Sequence, residues 1–192
     1  MIVRICRKHS HTLNIYLFSG YAGTGKSYTT ALCQSLFPSS KRTAFAKRVK
    51  DDVSKLYSIP RQLCDTQDGK KTYVTTSRGD FTVRELMIEF SAHAKQITQN
   101  PGIWADYVVE EIQKDPETNT WVIEDWRYKQ EYNSLKTAFP SARIHRFRVH
   151  RPDIIPSSDP SEHDLDGELM DYDIFNTGTA KDLLQLLQMY KS

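Results

Sequence analysis

Apolar positions along this chain switch repeatedly between a short continuous run and a helical stripe. Leu13 to Phe18 is nearly all apolar and predicts a strand buried on both faces. Ser27 to Phe37 predicts a helix that Pro38 stops. Thr43 to Ala46 predicts a second short strand. Lys47 to Tyr57 spaces Val49, Val53, Leu56 and Tyr57 as a helix ended before Pro60. Arg61 to Asp80 is polar, with Asp68-Gly69 and Arg78-Gly79 as loop or hairpin signals. Thr82 to Ile97 places Val83, Leu86, Met87, Phe90, Ala94 and Ile97 on one helical stripe, opened by a Thr82–Glu85 capping box. After Asn100-Pro101-Gly102, Ile103 to Lys114 predicts a helix burying Tyr107, Val108 and Ile112. Trp121 to Ile123 predicts a strand that ends in Glu124-Asp125. Tyr128 to Phe139 predicts a helix with Tyr132, Leu135 and Phe139 inward. Ile144 to Val149 and Tyr172 to Phe175 predict two more strands, separated by a loop over residues 152–170 rich in Pro, Ser and acid. Ala180 to Tyr190 closes the chain as a helix with Leu183, Leu184, Leu187 and Tyr190 inward. Strands alternating with helices predict an α/β protein: a mostly parallel, five-stranded sheet between two helical layers.

Composition narrows the classes. A chain of 192 residues suits one domain, or one domain with an inserted lobe. No apolar run approaches the roughly 20 residues that span a bilayer, so no membrane partner is expected. Met1 to His11 mixes Arg4, Arg7 and Lys8 and lacks a secretory apolar region. The three cysteines, Cys6, Cys33 and Cys64, are too sparse for a disulfide framework, and with the missing leader they predict a cytoplasmic location. Cys6, His9 and His11 have crude metal-ligand spacing but no fourth partner, so a structural zinc is not expected. A net charge of +2 argues against a polynucleotide partner. Arg143, Arg146, Arg148 and Arg151 do cluster, but a run of acids follows them from Asp159 to Asp173.

The strong chemical signal is Gly20-Tyr21-Ala22-Gly23-Thr24-Gly25-Lys26-Ser27, which matches G-x-x-x-x-G-K-[ST] between a strand and a helix. Glycines let consecutive backbone N–H groups wrap a phosphate, and the new helix adds its positive end. Lys26 is expected on the β- and γ-phosphates of ATP, and the Ser27 hydroxyl on Mg²⁺. The loop identifies the fold as a P-loop NTPase type. It needs an acid near the metal at the carboxyl end of an adjacent strand. Asp125 is the choice, with Glu124 in reserve. Arg127 follows two residues later and suits a transferring or acceptor phosphate. A GTPase would carry an Asn-Lys-x-Asp clamp, and no Asn here precedes Lys. A nucleic-acid motor would need a basic track. A small-molecule kinase remains.

Ordered along the chain are Phe45-Ala46-Lys47-Arg48-Val49-Lys50, Arg84-Glu85-Leu86, Ile103-Trp104, Asp125-Trp126-Arg127, Arg151-Pro152, Ser161-Glu162, and Tyr172 to Gly178 with Asn176 and Gly178 in register. With the phosphate loop, this series resembles the phage- and virus-type deoxynucleoside monophosphate kinases. The chain departs from them at Ser91 to Lys95, where the family has a Gly-Thr-Glu segment, and in placing His163 after Ser161-Glu162.

The resemblance implies one kinase domain over residues 1–192, an acceptor-binding insertion at about 47–115, and a lid at about 152–170. It implies ATP and Mg²⁺ as cofactors and a nucleoside 5′-monophosphate as acceptor. The acceptor oxygen is already anionic near neutral pH, so alignment and charge neutralisation carry the reaction. Arg84 and Lys95 share one face of the Thr82 helix and are candidates for the acceptor phosphate, with Lys50 and Arg127. Arg151 is expected to reach phosphates when the lid closes. The family places Asn176 to Gly178 against adenine. Tyr73, Trp104 and Trp126 are candidates to stack on the acceptor base. A homodimer is compatible with this reading, and no sequence feature specifies the oligomeric state. Two alternatives stay open: a kinase for dephospho-coenzyme A or a similar small molecule, and a nucleotide-binding regulatory module without phosphotransfer.

Overall fold

A computed structural model describes residues 12–156, 158 and 162–189, so Cys6, His9, His11, Ser161 and Tyr190 lie outside the described residues. The centre is β1 (Asn14–Ser19), where Ile15, Leu17 and Phe18 are fully buried because both faces of the strand are covered. The sheet runs β2 (Lys41–Thr43), β5 (Thr120–Ile123), β1, β6 (Arg143–His150), β7 (Tyr172–Phe175), and every neighbouring pair is parallel. Alternation along the strands divides the core in two. Ile15, Leu17, Trp121 and Ile123 pack beneath α4 (Ile103–Gln113) and α5 (Lys129–Ala138). Tyr16, Phe18, Val122, Phe147 and Val149 pack on the other side against α1 (Lys26–Leu36) and α6 (Ala180–Met189). This is the three-layer arrangement the alternating pattern predicts.

Residues between β2 and β5 carry a third cluster of their own. Val49 and Val53 from α2 (Lys47–Leu56), Val83 and Leu86 from α3 (Val83–Thr98), Cys64 and Trp104 form it. The Thr82–Glu85 capping box is present: Glu85 N–H donates to Thr82 Oγ1 at 3.2 Å, and Thr82 N–H to Glu85 Oε2 at 2.7 Å. The apolar stripe of α3 holds through Ala94, but Ile97 is 67% exposed, because the last turn runs past the cluster.

One expectation needs correction here. The second strand is Lys41–Thr43, not 43–46. Ala44, Phe45 and Ala46 instead turn beneath the sheet edge, where the Asp125 carboxylate accepts Phe45 N–H at 2.7 Å and Ala46 N–H at 2.9 Å. The polar stretch before α3 holds an antiparallel hairpin, β3 (Tyr73–Thr76) with β4 (Gly79–Thr82), turning at the Arg78-Gly79 signal. Its strands escape a hydrophobicity reading because they are only half-buried and rich in Thr, Gly and Asp.

No described helix is long and apolar enough to cross a membrane. The parallel order brings the carboxyl ends of β1, β5, β6 and β7 to one rim, and the candidate chemistry sits there.

Candidate active site

The Gly20–Ser27 loop leaves the carboxyl end of β1 and opens α1, whose first turn holds no acid to oppose an anion. Gly25 is the helix cap at φ 90, a left-handed conformation that favours glycine. A side chain there would also collide with the Asn176 amide. Asn176 Nδ2 donates to Thr24 O at 2.9 Å, so the turn after β7 is fastened to the loop. Asn176 is thus beside the phosphate loop, while Gly178 packs against the Asp182 side chain. Thr24 is buried and donates its hydroxyl to Tyr21 O at 2.9 Å.

Lys26 folds back over this loop, with Nζ donating to Gly20 O at 2.5 Å and Tyr21 O at 2.7 Å. Burial, aided by the Arg127 guanidinium, pushes its pKa down to about 8, while Glu162 and Asp125 pull the other way. Burial and then the charges of Lys50, Arg84 and Arg127 push the Lys70 ammonium below its ordinary value. Lys26, Arg127, Lys70, Lys50 and Arg84 therefore form a group of cations near enough for their charges to act on one another. Lys50 also pairs with Asp65 at 3.1 Å, and Arg84 donates to Gln67 Oε1 at 2.8 Å. Lys70 was missed by sequence reasoning. It stands in the polar turn Gly69–Lys71, and no pattern marks which lysine of a turn faces inward.

Asp125 has a structural task that the sequence did not show. Each of its carboxylate oxygens accepts one backbone amide, so Asp125 ties the end of β5 to the start of α2, which carries Lys50. Glu124, the reserve, keeps a buried Oε2 without a hydrogen bond; its charge partner Arg42 stands 3.9 Å away. That orphaned oxygen beside the loop-bearing strand, with the Ser27 hydroxyl at the start of α1, suits a hydrated Mg²⁺.

Arg127 is held through its backbone. Its N–H donates to Glu131 Oε2 at 2.8 Å, and Tyr128 N–H to the same oxygen at 3.0 Å. Glu131 is 8% exposed, and burial pushes its carboxyl up to about 8. The unfolded chain releases this proton near 4.5 and the folded chain near 8. Between those values the folded state binds more protons, so this group makes stability fall as pH rises. Glu131→Gln keeps an acceptor for both amides without the charge. Thermal unfolding should show it more stable than the parent at pH 8.5, with the difference shrinking at pH 5. A variant equally or less stable than the parent at pH 8.5 contradicts this account.

Arg84 and Lys95 do not converge. They sit at opposite ends of α3, about 16 Å apart along its axis. Lys95 Nζ lies 4.7 Å from the Tyr128 ring centroid and lines a cavity of about 370 Å³ with Trp104, Tyr128, Glu131 and Asp164. Trp104 Nε1, buried, has no hydrogen-bond partner. Trp126 is a core residue at 2% exposure, its Nε1 donating to Tyr128 O at 2.9 Å, and Tyr73 is exposed on the hairpin. Arg151 is exposed just beyond β6. The arginine that engages the 152–170 segment is Arg148, buried on β6, with Nη1 donating to Leu165 O at 2.9 Å.

This fold and loop define a P-loop α/β protein. Among solved structures, the tunicamycin resistance protein of Deinococcus radiodurans matches with 15% identity over 93% of this chain and 95% of that one, at a TM-score of 0.50. Dephospho-CoA kinase from Campylobacter jejuni matches at 14% identity, 92% and 95% coverage and a TM-score of 0.46. Shikimate kinase from Aquifex aeolicus matches at 12%, 93% and 95%, with 0.45. These likenesses are of fold. No protein-family model and no curated protein sequence matches the chain.

Proposed function

We propose that this protein is an ATP-dependent kinase that transfers the γ-phosphoryl group to a nucleoside 5′-monophosphate. The observation that carries the reading is the group of interacting cations: the charges of Arg127 and Lys70 act on Lys26 of the phosphate loop, and those of Lys50, Arg84 and Arg127 act on Lys70. Two phosphate groups facing each other need this layout, because charge repulsion and alignment are what the chain must overcome. In this reading the loop amides and Lys26 hold the donor tail, and Asn176 to Gly178 border the adenine. Lys50, Lys70 and Arg84 hold the acceptor phosphate. Arg127 stabilises charge on the group in flight. The cavity lined by Lys95 and Trp104 is the candidate place for the acceptor base. Mg²⁺, bound through Ser27 with Glu124 as its nearby acid, supplies charge neutralisation on the donor phosphates. Nothing here demands a general base, since a phosphate monoester oxygen is already anionic. The ordered motifs from Phe45 to Gly178 support a deoxynucleotide acceptor and a virus-type enzyme.

A coupled ADP-release assay over deoxynucleoside and ribonucleoside monophosphates, with dephospho-coenzyme A included, tests this. Turnover is expected to depend on a deoxynucleoside monophosphate. Turnover that depends on dephospho-coenzyme A instead replaces the acceptor, and ATP binding without acceptor-dependent turnover removes the kinase.

A further inference from the structure

The phosphate loop is already in contact with an anion that the chain itself supplies. Ala22 N–H donates to Glu162 Oε1 at 3.0 Å, and the charge of the same carboxylate partly offsets the effect of burial on Lys26. A loop amide and the Lys26 ammonium are the groups that a phosphate tail takes. Glu162 reaches the loop from the segment between β6 and β7, and its neighbours keep it there. The Ile154 side chain stands over Gly23, where an added Cβ would meet its Cδ1 at 3.0 Å. Leu165 is 2% exposed and joins the core beneath α4 and α5. Asp166 accepts from the Tyr21 hydroxyl at 2.8 Å and from Arg148 Nη2 at 2.5 Å, and pairs with His163 Nδ1 at 2.7 Å. Burial pushes the Asp166 carboxyl up, but His163, Arg148 and Tyr21 outweigh it and hold it at about 2, so this anchor stays ionised. The Arg148 guanidinium also lies 4.9 Å from the centroid of the Tyr21 ring.

We propose that residues 162–166 act as a built-in competitor of the phosphate tail: Glu162 fills the place of a donor phosphate oxygen in the resting chain, and nucleotide binds by displacing it. This rests on the reading of Gly20 to Ser27 as a phosphate site and adds its regulation. One carboxylate offers a single charge to the loop, whereas a triphosphate offers several and engages Lys26 more fully. A triphosphate therefore displaces the segment more readily than orthophosphate does. The cost is a weaker apparent affinity, equal to the intrinsic value divided by the fraction of molecules with the loop open. A contact that closes nine molecules in ten weakens binding about tenfold.

Calorimetric titration with inorganic tripolyphosphate and with ATP tests the proposal on the parent chain, Glu162→Ala and Glu162→Gln. Both variants are expected to stay folded, since the contact is between a polar side chain and a loop amide. Glu162→Ala should bind both ligands about 3–10-fold more tightly. Glu162→Gln should lie between it and the parent, because an uncharged oxygen still accepts from Ala22 N–H. Asp166→Asn weakens the anchor with Glu162 in place and should shift affinity in the same direction. Unchanged or weaker binding in Glu162→Ala overturns the proposal. Lys26→Ala separates the two layers. Parent-like tripolyphosphate binding there removes the phosphate-site reading itself. Lost binding there, with no gain in Glu162→Ala, removes only the competitor.

Discussion

Lys26→Ala is expected to lower kcat/KM by at least about 10²–10³-fold while leaving the melting temperature unchanged or raised. The two halves of this expectation have one cause. Burial first, and then the charges of Arg127 and Lys70, lower the pKa of the Lys26 ammonium to about 8 against the pull of Glu162 and Asp125. In the resting chain its bonds to Gly20 O and Tyr21 O and the attraction of those two carboxylates only partly offset that cost. Its removal relieves repulsion and burial together. What is lost is the charge that meets the phosphate tail. The same shift predicts a pH effect. Below about 8 the resting lysine is protonated and binds the tail; above it the cation is lost, and ATP affinity falls as pH rises. Binding restores the proton, so proton uptake should appear in calorimetry across buffers of different ionisation enthalpy. Turnover within tenfold of the parent, or ATP affinity that rises with pH, removes Lys26 from this role.

Local signals in the sequence predicted what local chemistry controls. The loop pattern, the Thr82–Glu85 capping box and the alternation of strands with helices each depend on residues within a few positions of one another, and each is seen in the structure. What was not legible has the opposite character. Asp125 reads as a metal acid at a strand end, and nothing in that pattern shows that its oxygens also accept Phe45 N–H and Ala46 N–H, on another strand's continuation. That pairing spans 79 to 80 residues and leaves no trace in either segment's pattern. Arg148 read only as one of four clustered arginines, Arg143, Arg146, Arg148 and Arg151. It is buried because Asp166 and Leu165 O receive its fork. Arg84 and Lys95 share a helical face by spacing, but the helix is long enough to deliver them to different places: one beside Lys70, the other above Tyr128. Periodicity reports which side of an element is buried, and it does not report which partner waits there.

Arg127→Ala should produce the other large loss, about 10³-fold or more in kcat with a smaller change in the KM for the acceptor. Three features fix this residue beside the phosphate loop and the proposed acceptor cations. Asp125, two residues before it, is bolted to the turn that starts α2. Its own N–H and that of Tyr128 are both bonded to the buried Glu131. The charge of its guanidinium acts on both Lys26 and Lys70. A group rigidly placed between donor and acceptor interacts most strongly when negative charge passes between them, so its loss falls on kcat. Arg127→Lys restores a charge but neither the planar fork nor its reach, and is expected to recover only part of the rate. Glu131→Gln keeps both backbone bonds, so it should leave kcat near the parent value at neutral pH. If Arg127→Ala instead raised only KM, or if Arg127→Lys were fully active, Arg127 would belong to acceptor binding and the charge in flight would need another partner.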